Sequence, residues 1–403
     1  MPEADTSPQV APRAPDPDFA PRFVAPVRYL TAHGAVARVG PEAAAVGRRV
    51  LVVHGEHGWP AVREEVATAL RDAGLGVATA LHAGYVTEPA LARLEAAAHE
   101  ARAELVVAVG GGRVLDAGKG AADRAQLPVV LIPTSPATCS GATAVVVDYD
   151  AAGAYLGSRR TATPPAVALC DPELLAAAPD RLLAAGLIDA IAKAVEVRLA
   201  ATTGRAEGAT AAAAVALCER LEAWVFAWAE RAVAAAAPDH PDRSVRREAA
   251  ETAMLWPGLI GGIAGEAAKL AAAHAVHNAL TTESARRDPT VRAPLHGEIL
   301  GFGILVQKVL EGAAETELAR YATLFARLGA PADLGSLGHA PLRSDEDRMR
   351  GFAARTAAMP PLRASFPDAD GGTVLAAFRA ADRAARDAAD GAGTPARAQP
   401  ART

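Results

Sequence analysis

Three residues of this chain have the types and arrangement to hold a metal ion. His274 and His296 lie in AAAHAVHNALTT and APLHGEILGFGILVQ, with Asp189 upstream in AAGLIDAIAKAVE. Two imidazoles and one carboxylate make the protein shell of a catalytic divalent cation whose fourth position stays open for water or substrate. Each member also has a plainer role. A lone histidine on an Ala-rich helix is more often packed or exposed than a ligand, and Asp189 near a helix start interacts favourably with the helix dipole. His274 and His277 are three apart, which puts both near one face of a helix. His296 follows a loop and begins the next helix, so a helix, a reversing loop and a second helix would bring imidazoles together. His277 is a candidate proton relay, with a structural hydrogen bond the favoured role.

A second set of residues has the character of a phosphate cradle. Gly110, Gly111 and Gly112 end an apolar strand and open a helix, followed by Asp116 and Lys119 in GGGRVLDAGK. Glycines there let backbone N–H groups approach a pyrophosphate at the positive end of the helix dipole. A tight turn would use the same residues, and the spacing is not the GxGxxG of the common dinucleotide fingerprint. In PTSPATCSGATAVVVDYD, Thr134, Ser135, Thr138, Ser140 and Thr143 suit either a hydroxyl-lined groove or a solvated loop. Arg159 and Arg160 precede the strand PPAVALC and suit phosphate contacts or, more simply, the surface.

The elements that must position these groups divide the chain. RRVLVVHGE, VATALHAG, ELVVAVGGG and LPVVLIPTS are strand-like and alternate with helical segments such as WPAVREEVATALRDAG and EPALARLEAAAHEARA, the pattern of βαβ units and a parallel sheet. ATAVVVDY and PPAVALCDPELL are expected to add sheet edges or returns. Beyond about Asp180 the apolar spacing becomes helical, including EAAETAMLWPGLIGGIAGEAAKLAAAHAVHNAL and HGEILGFGILVQKVLEG. The expected fold is an α/β dinucleotide-binding domain at 27–178 and an all-α domain at 179–388 that carries Asp189, His274 and His296. A leader at 1–26 and a tail at 389–403, rich in Pro, are expected to be disordered.

Bulk properties narrow the class. The 403 residues suffice for two domains. A net charge of −5 with 22% charged residues gives no bias toward nucleic acid or anionic membrane. Three cysteines without CxxC spacing and a start lacking a signal-peptide pattern fit a reducing, cytoplasmic setting. No stretch approaches the ~20 uncharged apolar residues of a membrane span.

GGGRVLDAGK, PTSPATC, AAGLIDAIAKAVE, AAAHAVHN and LHGE followed by GFGILVQ, in this order from Arg28 to Glu311, resemble the iron-containing alcohol dehydrogenase superfamily and its glycerol dehydrogenase and hydroxycarboxylate dehydrogenase branch. The resemblance implies a nicotinamide cofactor in the N-terminal domain, a helical C-terminal domain and an active site in the cleft between them. It assigns Asp189, His274 and His296 to the metal, Gly110, Gly111, Gly112 and Asp116 to the pyrophosphate loop, with Lys119 beside it, and Thr134 and Thr138 to the cofactor groove. Relatives form dimers or larger assemblies, so a homo-oligomer is expected.

Departures from the family pattern bear on chemistry. Lys193 stands four residues after Asp189, where the strictly iron-dependent branch has a further histidine. Three protein ligands favour zinc, with iron possible. Lys193 suits a substrate carboxylate or, more simply, an ion pair with Asp189 or Glu196. Cys139 occupies the place of the aspartate with which glycerol dehydrogenases contact their polyol, which weighs against glycerol and toward 2-hydroxy acids. After the first strand, VVHGEHG offers Gly55 where NAD-preferring members place an aspartate, with Glu56 adjacent, so NAD and NADP stay open. The expected activity is metal-assisted hydride transfer between NAD(P) and a secondary alcohol or its ketone, on a small-molecule substrate. The alternatives are a biosynthetic dehydrogenase of a larger substrate, such as a β-hydroxy amino acid or modified peptide, a dehydroquinate synthase-type lyase, and a non-catalytic binding scaffold.

Overall fold

Short β-branched runs bounded by glycine and proline form the sheet. β2 (Arg49–His54), β3 (Gly76–Leu81), β4 (Leu105–Gly110), β5 (Val129–Pro133) and β8 (Val167–Cys170) join β1 (Arg28–Thr31) in six parallel strands of order β1-β8-β5-β4-β2-β3. The computed structural model describes residues 24–265, 270–330 and 332–391. Residues 1–23 and 392–403, most of the expected leader and tail, lie outside the described residues.

Both faces of the sheet are covered, as parallel strands require. Val50 and Val52 of β2 pack with Val62, Val66 and Leu70 of α2 (Trp59–Asp72). Leu51 and Val53 point the other way, against Leu91 and Leu94 of α3 (Glu88–Glu100) and Leu115 of α4 (Gly112–Arg124). That second core runs on without interruption into the helical half. From β2 the chain moves outward to β3, then returns to β4 and proceeds through β5 to β8. The order therefore reverses between β2 and β4, and the crevice outside their carboxyl ends is where such sheets hold ligands.

Several sequence expectations are corrected. The pattern does not announce β1 or β7 (Tyr155–Arg160), because each is short and mixes polar with apolar residues. With β1 first, the glycine triplet follows the fourth strand. The segment PPAVALC is no edge or return: β8 sits inside the main sheet between β1 and β5. β6 (Val145–Tyr149) pairs antiparallel with β7 as a separate two-stranded sheet. The alanine-rich run expected to be helical throughout is split into α8 (Arg243–Ala264) and α9 (Ala272–Thr282), with Gly265 at φ 86° ending α8. Residues 389–391, placed in the tail from sequence, close the last helix, α15 (Gly371–Gly391).

After β8 the described residues are helical or irregular, starting with α5 (Pro172–Ala176), α6 (Asp180–Thr202) and α7 (Gly208–Ala234). Among the described residues no helix is long and apolar enough to cross a membrane. Arg246 of α8 is 1% exposed and fastens this junction. It donates to the carbonyls of Ala176 and Ala178 before α6, at 2.8 and 2.7 Å, and to that of Val233 near the end of α7, at 2.8 Å. Arg246→Met keeps the apolar stem but strands those buried carbonyls, so chemical denaturation should report a loss of about 3 kcal/mol. A loss below about 1 kcal/mol would mean that water replaces the guanidinium.

Candidate metal centre and cofactor crevice

Three helices must approach closely for Asp189, His274 and His296 to meet, and small residues permit it. A Cβ on Gly297 would overlap the carbonyl oxygen of Ala185 on α6, and one on Gly303 would overlap that of Ala273 on α9. Both glycines belong to α10 (His296–Leu310), which therefore lies backbone to backbone against α6 and α9. The result is one cluster: a ligand atom from each of Asp189, His274 and His296 lies within 4.8 Å of the others. His296 Nε2 is 3.6 Å from Asp189 Oδ1. Asp189 and His274 are buried while His296 is half-buried, so the cluster opens on one side.

Surrounding side chains fix the rings. Glu196, wholly buried on α6, accepts from His274 Nδ1 at 2.6 Å and from the backbone N–H groups of Ala271 and His274 at 2.8 and 2.9 Å. His274 Nδ1 thus carries its proton toward the carboxylate and Nε2 is left for the cluster. Burial pushes the Glu196 carboxyl upward, but His274 and Lys193 outweigh it and hold it below its usual range. The balance at Asp189 is the same, with burial overcome by His296, His274 and Lys193.

On the other ring, His296 Nδ1 lies 2.8 Å from His277 Nε2, and His277 Nδ1 lies 2.9 Å from Asn278 Oδ1. Burial, then His296, lowers His277 well below the ordinary histidine value, so it is neutral. With Asn278 Oδ1 as acceptor, His277 Nδ1 donates, His277 Nε2 accepts from His296, and His296 Nε2 keeps a bare lone pair. His277 thus links Asn278 to His296 by hydrogen bonds.

Lys193 is half-buried one turn along α6 from Asp189. Cys139 stands in a short 3-10 turn at Cys139–Ala142. Burial, reinforced by Asp189, pushes its thiol up to about 12, which keeps it neutral.

The glycine triplet lies in the crevice. Gly110 ends β4, Gly111 caps α4 and Gly112 is its first residue, so the first N–H groups of that helix have no intrahelical partner. A Cβ on Gly112 would lie 2.6 Å from Thr138 Oγ1, and one on Gly58 would overlap Thr134 Oγ1. The ends of β2, β4 and β5 are thereby drawn together, with Thr134 and Thr138 half-buried between them.

Asp116 and Lys119, expected beside the pyrophosphate loop, are engaged with each other and with the turn after Thr138. Lys119 is wholly buried; its ammonium donates to the Ser140 and Thr143 carbonyls at 3.0 and 3.3 Å and pairs with Asp116 at 2.9 Å. Asp116 accepts from Ser140 Oγ at 2.5 Å and from Val147 N at 3.1 Å. The pair is spent on shaping the turn that follows Thr138. Arg159 is likewise committed, to Asp123 at 3.1 Å and Asp148 at 3.2 Å.

Sequence reasoning did not single out Asn278, Gly297 or Gly303 for the site, and it named Ser140 only for a hydroxyl-lined groove and Glu196 only as an ion-pair partner of Lys193. Glu196 had a usable signal: it lies seven residues after Asp189 and so shares its helix face. The close-approach glycines had only their place in HGE and GFG.

Known proteins resemble this chain over most of its length. The sequence model of the iron-containing alcohol dehydrogenase family matches residues 26–172. An uncharacterised oxidoreductase of Synechocystis sp. is 32% identical over 320 residues, 78% of this chain and 80% of the relative. A glycerol dehydrogenase of Escherichia coli is 31% identical over 315 residues, 77% of this chain and 83% of the relative. Among solved structures, a probable glycerol dehydrogenase from Sinorhizobium meliloti superposes with a TM-score of 0.78 at 25% identity, covering 91% of this chain and all of that one.

Glu196→Gln keeps the size of the side chain and removes its charge. Competition with a chromophoric chelator should then show divalent-metal affinity reduced about 10–100-fold. Unchanged affinity would mean that His274 needs no charged acceptor. Gly297→Val, which drives α10 off α6, should weaken metal binding and lower the melting temperature together.

Proposed function

The chain belongs to the iron-containing alcohol dehydrogenase family, and on that premise we propose that it interconverts a secondary alcohol and its ketone by hydride transfer, using a divalent metal and a nicotinamide dinucleotide. The observation that carries this reading is the meeting of Asp189, His274 and His296 within 4.8 Å. The donor set suits a divalent cation. With Nδ1 of each histidine committed to Glu196 or His277, both Nε2 atoms remain for the ion beside the Asp189 carboxylate. Two imidazoles, one carboxylate and an open position favour zinc. The glycine triplet and the exposed start of α4 suit the pyrophosphate of the dinucleotide.

When bound, the metal supplies Lewis acidity at the substrate oxygen and the dinucleotide supplies or accepts the hydride. The chain's own residues do the rest. Asp189, His274 and His296 fix the position of the reacting oxygen. Glu196 and the His277–Asn278 chain hold both rings at one tautomer, so no histidine proton occupies the ligand positions. His277, neutral and enclosed, keeps His296 oriented. Thr134 and Thr138 line the groove above the glycine loop.

The substrate side favours a 2-hydroxy acid over a polyol. Cys139 offers a neutral thiol where a polyol would need a carboxylate acceptor, and Lys193 adds positive charge one turn from Asp189. A carboxylate-bearing substrate suits that balance.

The test is the absorbance of NADH and NADPH with a panel of 2-oxo acids, ketones and polyols, with and without added zinc. On the best substrate, His274→Ala and His296→Ala should each lower kcat/KM by about 10³-fold or more, since Lewis-acid stabilisation is worth several kcal/mol. Full turnover in either variant would overturn the metal mechanism.

A further inference from the structure

The carboxyl ends of β2 and β3 gather positive charge. His54 and Leu81 are register partners, and His82, the next residue, donates its backbone N–H to the His54 carbonyl at 2.8 Å. The His82 ring is 2% exposed, and neither ring nitrogen has a hydrogen-bond partner among the described residues. Buried polar atoms without partners are costly and uncommon, so a pair on one ring marks a place that a ligand completes.

Two arginines converge on the same strand ends. Arg93 of α3 donates to the Leu81 carbonyl at 3.0 Å. Arg113, in the first turn of α4 and directly after the glycine triplet, lies over the Tyr85 ring at 5.2 Å from its centroid, three residues past His82. Both are exposed, and neither has a carboxylate partner among the described residues. Burial and then the nearby charges of Arg93 and Arg113 lower His82 to about 4, so its ring is neutral and offers one N–H donor beside two cations.

This position has a meaning in a dinucleotide crevice. The strand beside the glycine-loop strand ends at the ribose of the adenosine, where a carboxylate binds the 2′-hydroxyl and an arginine accommodates a 2′-phosphate. That strand is β2, and the residue directly after it is Gly55, where a Cβ would lie 2.8 Å from a Val114 side-chain carbon on α4. No side chain is possible there without a shift. Glu56 is the nearest carboxylate in sequence and is exposed, so it can turn to solvent.

Building on the reading of this crevice as a dinucleotide site, we propose that Arg113, Arg93 and His82 form a phosphomonoester subsite for the ribose 2′-phosphate, and that the chain takes NADP(H) in preference to NAD(H). Arg113 supplies the main contact beside the pyrophosphate loop. Arg93 adds a second cation from α3, and the single N–H of the neutral His82 ring donates from beneath.

Calorimetric titration of the full-length, metal-loaded protein with 2′,5′-ADP, 5′-AMP and inorganic phosphate tests the subsite without turnover. The first two ligands differ only in the 2′-phosphate. 2′,5′-ADP should bind at least about tenfold tighter than 5′-AMP, the increment of one charge-assisted hydrogen bond. Arg113→Ala should abolish that ratio and leave 5′-AMP affinity within about twofold. His82→Phe, which fills the same buried space with an apolar ring, should reduce the ratio several-fold with little change in melting temperature. Equal binding of the two nucleotides overturns the proposal, as does an equal loss for both in Arg113→Ala, which would assign Arg113 to the 5′-phosphate. Inorganic phosphate binding as tightly as 2′,5′-ADP would make this a free-phosphate site and also overturn it. If neither nucleotide binds, the dinucleotide reading itself falls.

Discussion

Glu196 is a carboxylate removed from water and surrounded by donors from one short stretch of chain. It accepts from the N–H groups of Ala271 and His274 and from the His274 ring, so one side chain caps the start of α9 and orients the imidazole that α9 carries. The unpaired N–H groups of a helix start are the natural partners of a negative charge. Gln307 of α10 completes the arrangement by accepting from Ala273 N at 3.2 Å and donating to the Val195 carbonyl of α6 at 3.3 Å. The three helices that carry Asp189, His274 and His296 are thus joined by buried side-chain bonds as well as by glycine contacts. A ligand set drawn from separate helices has this requirement in common with any preorganised site: the supporting contacts must be as well defined as the ligands.

The turn after Thr138 couples this centre to the sheet. Lys119 and Asp116 hold it from the α4 side through Ser140. From the helical side, a Cβ on Gly258 of α8 would lie 2.7 Å from the Ala142 Cβ, and one on Gly186 of α6 would overlap the Pro136 carbonyl. Cys139 is carried between these clamps, within electrostatic reach of Asp189 and Lys193. The glycine loop, the threonine groove and the metal helices therefore share one rigid connection, which is what hydride transfer between a held cofactor and a held substrate demands.

How much of this was legible depended on whether a residue's role could be read from its type. The cluster of Asp189, His274 and His296 could be anticipated because two histidines and an aspartate in ordered helical segments are a familiar ligand set, and the family resemblance carried their order. The parallel sheet followed from β-branched runs between helices. The bonds of Lys119 were not legible: a lysine after a glycine loop has the composition of a phosphate contact, and only the structure shows it buried among carbonyls. Gly297 and Gly303 were invisible as site residues because close backbone approach is a property of two segments at once. The gap between α8 and α9 was hidden by an alanine-rich composition that favours helix on both sides of it. His82 carried no signal at all, since an unpartnered ring is a fact of packing.

Asp189, His274 and His296 are proposed to bind one divalent metal. X-ray absorption at the zinc K-edge, on full-length protein loaded with one equivalent, tests it most directly. The account predicts nitrogen and oxygen neighbours only, with the outer-shell scattering of two imidazoles. A spectrum with a sulfur neighbour, which would bring in Cys139, or with fewer than two imidazoles would contradict it.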